Sequence, residues 1–269
     1  MTTLSLITVG AAFLYFASGL MIVSALKGKD AKAASWIRCP ILLGILLHGY
    51  TIQTEIFQRN TVHFGFGFAI SAMFLFAAIA LFIESFIHRL HGQLGIVLAM
   101  TGLATIFPIL FPGKPIDVTD WTFFFRIHII LALAAYSFMT IAVVQAVLMG
   151  YQNRALKCIE RKESGFMESM PGLLVQERIF FRIVATGFAC LTAVLLTGAV
   201  ATKEMLDVYV QFDHKFLLTV FSWVIFGILL AGRIFGGWRA KKALLWFWAG
   251  FVVYFVAYLG YSFVLEFQG

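Results

Sequence analysis

Eight apolar stretches of about 20 residues each run through this chain, and short polar connections separate them. An α-helix needs about 20 apolar residues to cross a bilayer, and its backbone satisfies its own hydrogen bonds there. We therefore predict an all-α fold, a polytopic membrane helix bundle with eight transmembrane helices that forms a single integral membrane domain over residues 1–269. The predicted spans cover residues 5–26, 36–57, 64–87, 93–111, 126–150, 179–201, 215–233 and 243–266.

The composition agrees with a membrane location. Hydrophobic residues make up 61% of the chain and charged residues only 12%, whereas soluble domains are about a quarter charged. The mean hydropathy is +0.94. The net charge of +7 does not indicate nucleic-acid binding, because the basic residues are sorted by connection.

Basic residues concentrate in alternate connections. Most of the 20 lysines and arginines lie after spans one, three, five and seven. The positive-inside rule places these connections in the cytoplasm, so we predict both termini on the outer, periplasmic side of a bacterial inner membrane. The first span has no basic residue before it and is followed by Lys27, which fits an uncleaved helix better than a signal peptide.

Three histidines lie at membrane depth or at the start of a predicted span: His48, His128 and His214. Ionisable residues in a membrane are costly, so each is a functional-site hypothesis. His128 and His214 open spans five and seven at the same predicted outer face. Two imidazoles on different helices can ligate one haem iron from opposite sides. The alternative is that both histidines simply cap helix starts and meet water.

Residues around these two histidines fit either interpretation. Arg126 and Lys215 flank them and are candidates to pair with haem propionates. Ala132, Ala135 and Met139 follow His128 at helical spacing. Small side chains there would leave room for a flat ring or for close helix packing.

His48 lies near the middle of span two. Gly44, Thr51 and Glu55 share its helix face, which forms a polar stripe towards the predicted outer surface. The stripe could carry a proton, line a haem route, supply a second haem site, or pack against a neighbouring helix.

Two connections differ from plain linkers. The connection over residues 151–178 is predicted to contain a short interfacial helix broken at Pro171. The connection over residues 202–214 mixes aromatic and acidic side chains, including Tyr209, Phe212 and Asp213. The three cysteines have no CxxC spacing, so neither a redox pair nor a covalent haem site is indicated.

Several segments together resemble the CcsA/HemX-like cytochrome c assembly family, and within it the short YpjD-like inner-membrane members. The segments are MPGLLVQERIFF at 170–181, TGF at 186–188, LT at 191–192, GAVA at 198–201, FDHK at 212–215, SW at 222–223, GWR at 237–239 and GF at 250–251. The resemblance covers nearly all of the chain. It implies a helix bundle of about eight helices that handles haem during cytochrome c maturation.

The resemblance also assigns site residues. It implies an outer histidine at the start of span five, which Trp121 followed by His128 matches. Full members carry a tryptophan-rich outer motif over the haem, and Tyr209, Asp213 and Lys215 correspond to parts of it. Phe212 stands where a tryptophan is expected, and Val210 stands in another such place.

Two further histidines of full members are missing from this chain, one at the end of span seven and one after the last span. His214 occupies the position of a proline in the family motif. We infer that His214 replaces the missing outer ligand, because it lies near the same predicted surface.

Three functions remain open at this point. The first is a haem-binding membrane protein that holds haem b through His128 and His214, with a membrane or periplasmic partner and no enzymatic chemistry. The second is an accessory or regulatory subunit that kept the fold and lost haem transfer. The third is a transporter or proton-linked carrier that uses His48, Thr51 and Glu55. Hydrolytic motifs such as GxSxG and HExxH are absent from the sequence.

Overall fold

The structure is a computed structural model that describes residues 3–28, 36–57, 61–63, 65–86, 91–112, 115–117, 119–155, 172–209 and 211–257. Helices dominate the described chain, which confirms the helical fold class. The helices are α1 (Thr3–Gly28), α2 (Arg38–Phe57), α3 (Phe66–Glu84), α4 (His91–Ala104), α5 (Phe107–Leu110), α6 (Phe123–Ala155), α7 (Leu173–Leu206), α8 (His214–Gly236) and α9 (Ala240–Phe255). Each of the eight predicted spans overlaps at least one of these helices.

Five of these helices are long and apolar enough to cross a membrane, which makes the chain a multi-pass membrane protein. They are α1, α3, α6, α7 and α8. In span four, the apolar helical stretch Leu94–Leu110 is interrupted by a turn at Thr105 and Ile106. The remaining two spans contain α2 and α9, and α9 is described only to its end at Phe255. The number of crossings and the side on which the termini lie stay predictions.

The chain forms two compact units. The first comprises Met1–Thr119 and Glu160–Pro171, and the second comprises Asp120–Ile159 and Gly172–Gly269. The first unit contains α1 to α5 and the second contains α6 to α9. That the two units act as a single membrane domain stays a prediction.

Small residues allow the helices of the first unit to pack closely. A Cβ atom added to Gly19 on α1 would lie 3.0 Å from the carbonyl oxygen of Gly95 on α4. A Cβ atom added to Gly102 would lie 2.9 Å from the ring of Phe16. Side chains larger than hydrogen at these positions would push α1 and α4 apart, and close contact between helix backbones is a common way for membrane helices to associate.

A short two-stranded ribbon, which the sequence did not predict, joins two connections of the first unit. Strand β1 (Thr61–His63) pairs antiparallel with strand β2 (Pro115–Asp117), with Val62 opposite Ile116. After β2, the backbone N–H of Thr119 donates to Asp117 Oδ1 at 2.9 Å and starts a turn. Three-residue strands are too short to show an alternating pattern, so their pairing depends on how the flanking helices fold.

The second unit is a bundle in which neighbouring helices run antiparallel. Along α6 and α7, His128 contacts Val194 at one end, and Gln145 donates to the carbonyl oxygen of Gln176 towards the other. Because helices α6 and α7 run in opposite directions, the start of α6 lies beside the last turns of α7.

Helix α8 also runs antiparallel to α7. Trp223 Nε1 donates to Thr192 Oγ1 at 2.9 Å, and Arg233 pairs with Glu177 nearer the start of α7. Helices α6 and α8 therefore begin at the same end of the second unit. His128 and His214 thus lie towards the same end of the second unit, and that this end is the outer membrane face stays a prediction.

Helix α9 completes the bundle by contacting both α8 and α6. The rings of Phe226 and Phe247 lie 6.1 Å apart between α8 and α9. Tyr136 stacks on Tyr254 at 4.1 Å, and its hydroxyl donates to the carbonyl oxygen of Tyr254 at 3.0 Å. Helices α6 and α8 consequently lie across the bundle from each other, with α7 on one side and α9 on another.

Two long helices of the second unit extend beyond their predicted spans. Helix α6 begins at Phe123, so Arg126 and His128 lie inside its first two turns. Helix α7 extends from Leu173 to Leu206, so the first part of the predicted connection 202–214 is helical. The predicted connection 151–178 is helical at both ends, where α6 continues to Ala155 and α7 begins at Leu173, and the part around Pro171 where a short interfacial helix is predicted lies outside the described residues.

Candidate functional site

The imidazole of His128 lies against the last turns of α7. Its Nδ1 atom is 3.0 Å from the carbonyl oxygen of Val194 and 3.4 Å from Thr197 Oγ1. A Cβ atom added to Gly198 would lie 3.0 Å from Cε1 of the same ring. The ring is half-buried and fits onto one turn of α7, which we call the α7 seat (Val194, Thr197 and Gly198).

This contact determines which ring nitrogen carries the proton. A carbonyl oxygen can only accept a hydrogen bond, so Nδ1 of His128 must be the donor to Val194. A neutral imidazole has one N–H, and its Nε2 atom then keeps an unprotonated lone pair. Metal-bound histidines usually show this pattern, in which one nitrogen donates to a carbonyl and the other ligates. The chemistry of His128 therefore fits an axial haem ligand.

Aromatic side chains adjoin His128 on its own helix. Phe125 stacks on the imidazole with ring centroids 6.3 Å apart, and Trp121 meets Phe125 edge-on at 4.9 Å. Nε of Arg126 donates to the carbonyl oxygen of Trp121 at 3.3 Å. This bond uses one of the five N–H donors of the guanidinium. Of the predicted residues, Trp121 and Arg126 are thus in contact at the start of α6, and Phe125 lies between Trp121 and His128.

Further along α6, the small side chains serve helix packing. Ala135 and Met139 are fully buried. A Cβ atom added to Gly187 on α7 would lie 2.9 Å from Cε of Met139. Of the two alternatives that the sequence left open for this face, close packing is the one observed at Ala135 and Met139.

His214 is the first residue of α8. The preceding residue, Asp213, is the N-cap, and its Oδ1 atom accepts a hydrogen bond from the backbone N–H of Phe216 at 2.8 Å. A helix start capped in this way is well defined, which fixes the position of the His214 backbone. His214 is exposed, and Lys215 beside it is half-buried.

The helix contacts give an approximate difference in depth between the two histidines. Trp223 on α8 is beside Thr192 of α7, and His214 lies nine residues before Trp223 on the same helix. His128 on α6 is beside the α7 seat, which lies a few residues after Thr192 towards the end of α7. With a rise of about 1.5 Å per residue, His214 lies about 7 Å nearer the end of the bundle than His128. The pairing of these two imidazoles on one iron stays a prediction.

The predicted outer-loop residues lie at the same end of the second unit. Asp207 follows the last residue of α7 and has the left-handed backbone conformation, with φ 59°. Its Oδ1 atom forms an ion pair with Nζ of Lys203 at 2.5 Å. Nζ of Lys203 also lies 5.2 Å from the ring centre of Tyr209. Phe212 is 78% exposed and meets Phe216 edge-on at 5.9 Å.

The sequence missed the α7 seat and Phe125. Gly198 belongs to the GAVA segment that supports the family resemblance, but nothing in that segment indicates contact with a histidine 70 residues earlier. The contact depends on which face of α7 meets α6. The signal in the sequence is the glycine itself, Gly198, but the sequence does not show that it faces the helix that carries His128.

His48 lies in the first unit and is completely buried. Its Nε2 atom is 2.8 Å from Ser71 Oγ, and its Nδ1 atom is 3.5 Å from both Tyr15 Oη and Thr105 Oγ1. Both ring nitrogens therefore face protein hydroxyls, as expected of a histidine that packs against neighbouring helices.

The rest of the polar stripe of α2 makes local contacts. Thr51 donates to the carbonyl oxygen of His48, within its own helix. The Glu55 side chain lies outside the described residues. Within the described part of the chain, no cluster of three or more His, Cys, Asp and Glu residues could hold a metal ion.

The sequence profile of the family described as Cytochrome C assembly protein matches residues 36–268. The chain belongs to this family. The matched range includes every predicted site residue, from His48 to Lys215, and it covers most of both units.

Relatives of this family member include proteins with two different names. The inner membrane protein YpjD of Escherichia coli (strain K12) is 30% identical over 134 residues, which are 50% of this chain and 49% of that protein. The cytochrome c biogenesis protein CcsA of Chlamydomonas reinhardtii is 26% identical over 155 residues, 58% of this chain and 41% of that protein. The match therefore spans about half or less of the length of these relatives.

The same name recurs among cyanobacteria. The cytochrome c biogenesis protein CcsA of Gloeothece citriformis (strain PCC 7424) is 36% identical over 84 residues, which are 31% of this chain and 26% of that protein. The family resemblance predicted from the sequence is thus confirmed, including its YpjD-like character.

Proposed function

We propose that this family member is a membrane haem-binding protein of cytochrome c assembly, which holds haem b where α6 and α8 begin. The observation that carries the proposal is the hydrogen bond from Nδ1 of His128 to the Val194 carbonyl oxygen. The bond leaves Nε2 available as an iron ligand on a half-buried ring. Haem, when bound, would supply an iron centre that histidine side chains of the chain would hold and orient.

His214 is the proposed second ligand. It starts α8 at the same end of the bundle, across from α6, and its backbone is fixed by the Asp213 cap. Arg126 and Lys215 are the proposed partners of the propionates, because each carries a positive charge within two residues of a proposed ligand. Trp121, Tyr209, Phe212 and Asp213 would form the surround.

The proposed location follows from the name of a relative and from the charge distribution of the chain, and the proposed partners follow from that location. We place the chain in a bacterial inner membrane, as the name of the YpjD relative states for that protein. The end that carries His128 and His214 would face the periplasm by the positive-inside rule. A cytochrome or an assembly partner in the membrane or periplasm would receive or supply haem there.

A second candidate is an accessory or regulatory subunit without haem transfer. The exposed aromatic side chains of Tyr209 and Phe212, 65% and 78% accessible, favour it because large exposed aromatic residues are common at protein interfaces. A transporter ranks third, because the hydroxyl contacts of His48 supply a structural reason for the buried histidine.

The decisive experiment is an absorption spectrum of the protein purified in mild detergent from haem-replete cells. We expect a Soret band in the oxidised protein and sharp α and β bands after reduction, as for low-spin iron with two imidazole ligands. His128→Gly should lose most of the bound haem, and added imidazole should restore part of the band.

His63→Ala is the matched control, since His63 lies on β1 in the first unit and outside the proposed ligand set. Its haem content should equal that of the wild type. A protein that stays colourless after addition of haem would overturn the haem proposal and favour the accessory subunit. Loss of haem in His63→Ala but not in His128→Gly would reassign the ligand.

A further inference from the structure

We propose that the α7 seat positions His128 so that Nε2 is its reactive nitrogen, and that Gly198 is the residue whose lack of a side chain makes this possible. The inference rests on the proposed function, because a defined reactive nitrogen matters only if Nε2 of His128 binds the haem iron. Its structural basis is the tautomer and placement of the ring.

The first step is the choice of tautomer. The α7 seat offers Nδ1 an acceptor, the carbonyl oxygen of Val194, at 3.0 Å. Thr197 Oγ1 lies 3.4 Å from the same nitrogen, and the Thr197 hydroxyl donates to the carbonyl oxygen of Ala193 at 2.7 Å. Because its proton is already used, Thr197 does not compete as a donor to Nδ1. Both neighbours therefore favour a protonated Nδ1.

The second step is the space that the ring occupies. A Cβ atom at position 198 would lie 3.0 Å from Cε1 and 3.2 Å from Nδ1 of His128. These distances are shorter than ordinary van der Waals contact, so an alanine would push the ring away by a few tenths of an ångström. The displacement would act on the ring edge that carries the hydrogen bond.

The third step is the aromatic neighbour of the ring on its own helix. Phe125 lies 6.3 Å from the imidazole, centroid to centroid, with an angle of 16° between the ring planes. The imidazole thus has an aromatic neighbour on its own helix as well as the contacts of one ring edge with the α7 seat. A ring displaced from Gly198 has to shift or to rotate about its side-chain bonds, and either motion changes where Nε2 points and how the imidazole lies beside Phe125.

The test compares Gly198→Ala with Gly227→Ala in the full-length protein. Gly227 lies on α8, and an added Cβ atom would meet only Phe188, at 3.7 and 3.8 Å, which is ordinary contact. The first measurement is the ¹⁵N NMR spectrum of histidine-labelled, haem-free protein at pH 8, with His128→Gln used to assign the resonance. We expect a protonated Nδ1 and a bare Nε2 at His128.

The second measurement is haem retention. Loss of the hydrogen bond that orients a metal-binding histidine typically weakens metal binding about 10–100-fold. Gly198→Ala should disturb the bond from His128 to Val194, so we expect haem retention to fall within about this range. The α band of the remaining haem should also shift. Gly227→Ala should match the wild type in both the NMR and the haem measurements.

The outcomes separate this inference from the proposed function. A wild-type His128 protonated at Nε2, or unchanged NMR and haem spectra in Gly198→Ala, would overturn the role of the α7 seat. A correct tautomer in a protein that binds no haem would overturn the proposed function alone. The wild-type tautomer needs no variant, so a Gly198→Ala protein that fails to fold would not prevent the test.

Discussion

At the scale of single residues, the buried histidine His48 of the first unit is stabilised by hydroxyl groups on neighbouring helices. His48 on α2 reaches Ser71 on α3 at 2.8 Å, and Tyr15 on α1 at 3.5 Å. A histidine at the centre of an apolar unit is costly unless its nitrogens have partners. The hydroxyls around it supply those partners, so hydrogen bonds of His48 link α2 to α1 and α3.

A double-mutant cycle with His48→Ala and Ser71→Ala measures this link. Hydrogen bonds between membrane helices contribute about 0.6 kcal/mol on average and up to about 1.7. We expect a coupling in the upper part of this range, because the bond is short and fully buried. Reversible unfolding in mixed detergent micelles gives the four free energies.

Ser24→Ala is the matched control, because the Ser24 hydroxyl is exposed and donates to the carbonyl oxygen of Met21 in its own helix. The cycle of His48→Ala with Ser24→Ala should show no coupling. A coupling near zero for Ser71 would contradict the structural role of His48. The other two interpretations of His48, a path for protons and a route for haem, would then be favoured.

Among the secondary-structure elements, α7 and α8 are joined by an ion pair at the end away from His128. Glu177 on α7 is 5% exposed and pairs with Arg233 on α8, which is 37% exposed. Arg233 also donates to the carbonyl oxygen of Trp238 at 3.0 Å and lies 4.7 Å from the ring centre of Phe181. The pair therefore also fixes the turn after α8.

The unequal burial of the pair predicts unequal effects of its removal. Arg233→Gln leaves a buried carboxylate without its cation, whereas Glu177→Gln leaves a cation that can reach water. We expect Arg233→Gln to lower the free energy of unfolding by about 2–3 kcal/mol, and Glu177→Gln by about 1 kcal/mol. The double variant should recover part of the loss.

The control is the exposed pair of Lys203 and Asp207, which spans one helical turn. Lys203→Gln should change the unfolding free energy by less than about 1 kcal/mol, as is typical of surface ion pairs. Equal losses for Arg233→Gln and Glu177→Gln would show that both charges are solvated in the folded protein.

For the whole molecule, the testable feature is orientation in the membrane. The contacts of α7 place the start of α8 and the turn before α9 at opposite ends of the second unit. The charge distribution predicts that residues near Tyr209 face the periplasm and that Lys241 faces the cytoplasm. The two ends should therefore react with a membrane-impermeant reagent from opposite sides.

Single cysteines at Tyr209 or Lys241 test this in a background with the three native cysteines replaced by serine. In intact spheroplasts we expect a membrane-impermeant maleimide to label the Tyr209→Cys variant. The Lys241→Cys variant should react only after the cells are broken. The reverse pattern would invert the orientation, and labelling of both in intact cells would contradict a crossing by α8.

Sequence patterns located most helices, since every predicted span overlaps a helix. Their ends were less predictable. Helix α7 begins and ends several residues outside its predicted span, because its first residues pack on neighbouring helices and its last turn is closed by Asp207. Of the site, the sequence indicated Trp121, Arg126 and His128, which adjoin along one helix.

The sequence by itself determined the membrane class, the approximate helix positions and the family, because these follow from apolar segment length and from motifs local in the chain. Only the tertiary structure decided that His128 rests on Gly198 and that His48 meets Ser71. Such contacts depend on the rotation and approach of packed helices. Segments that are similarly apolar all round contain no local pattern to specify them.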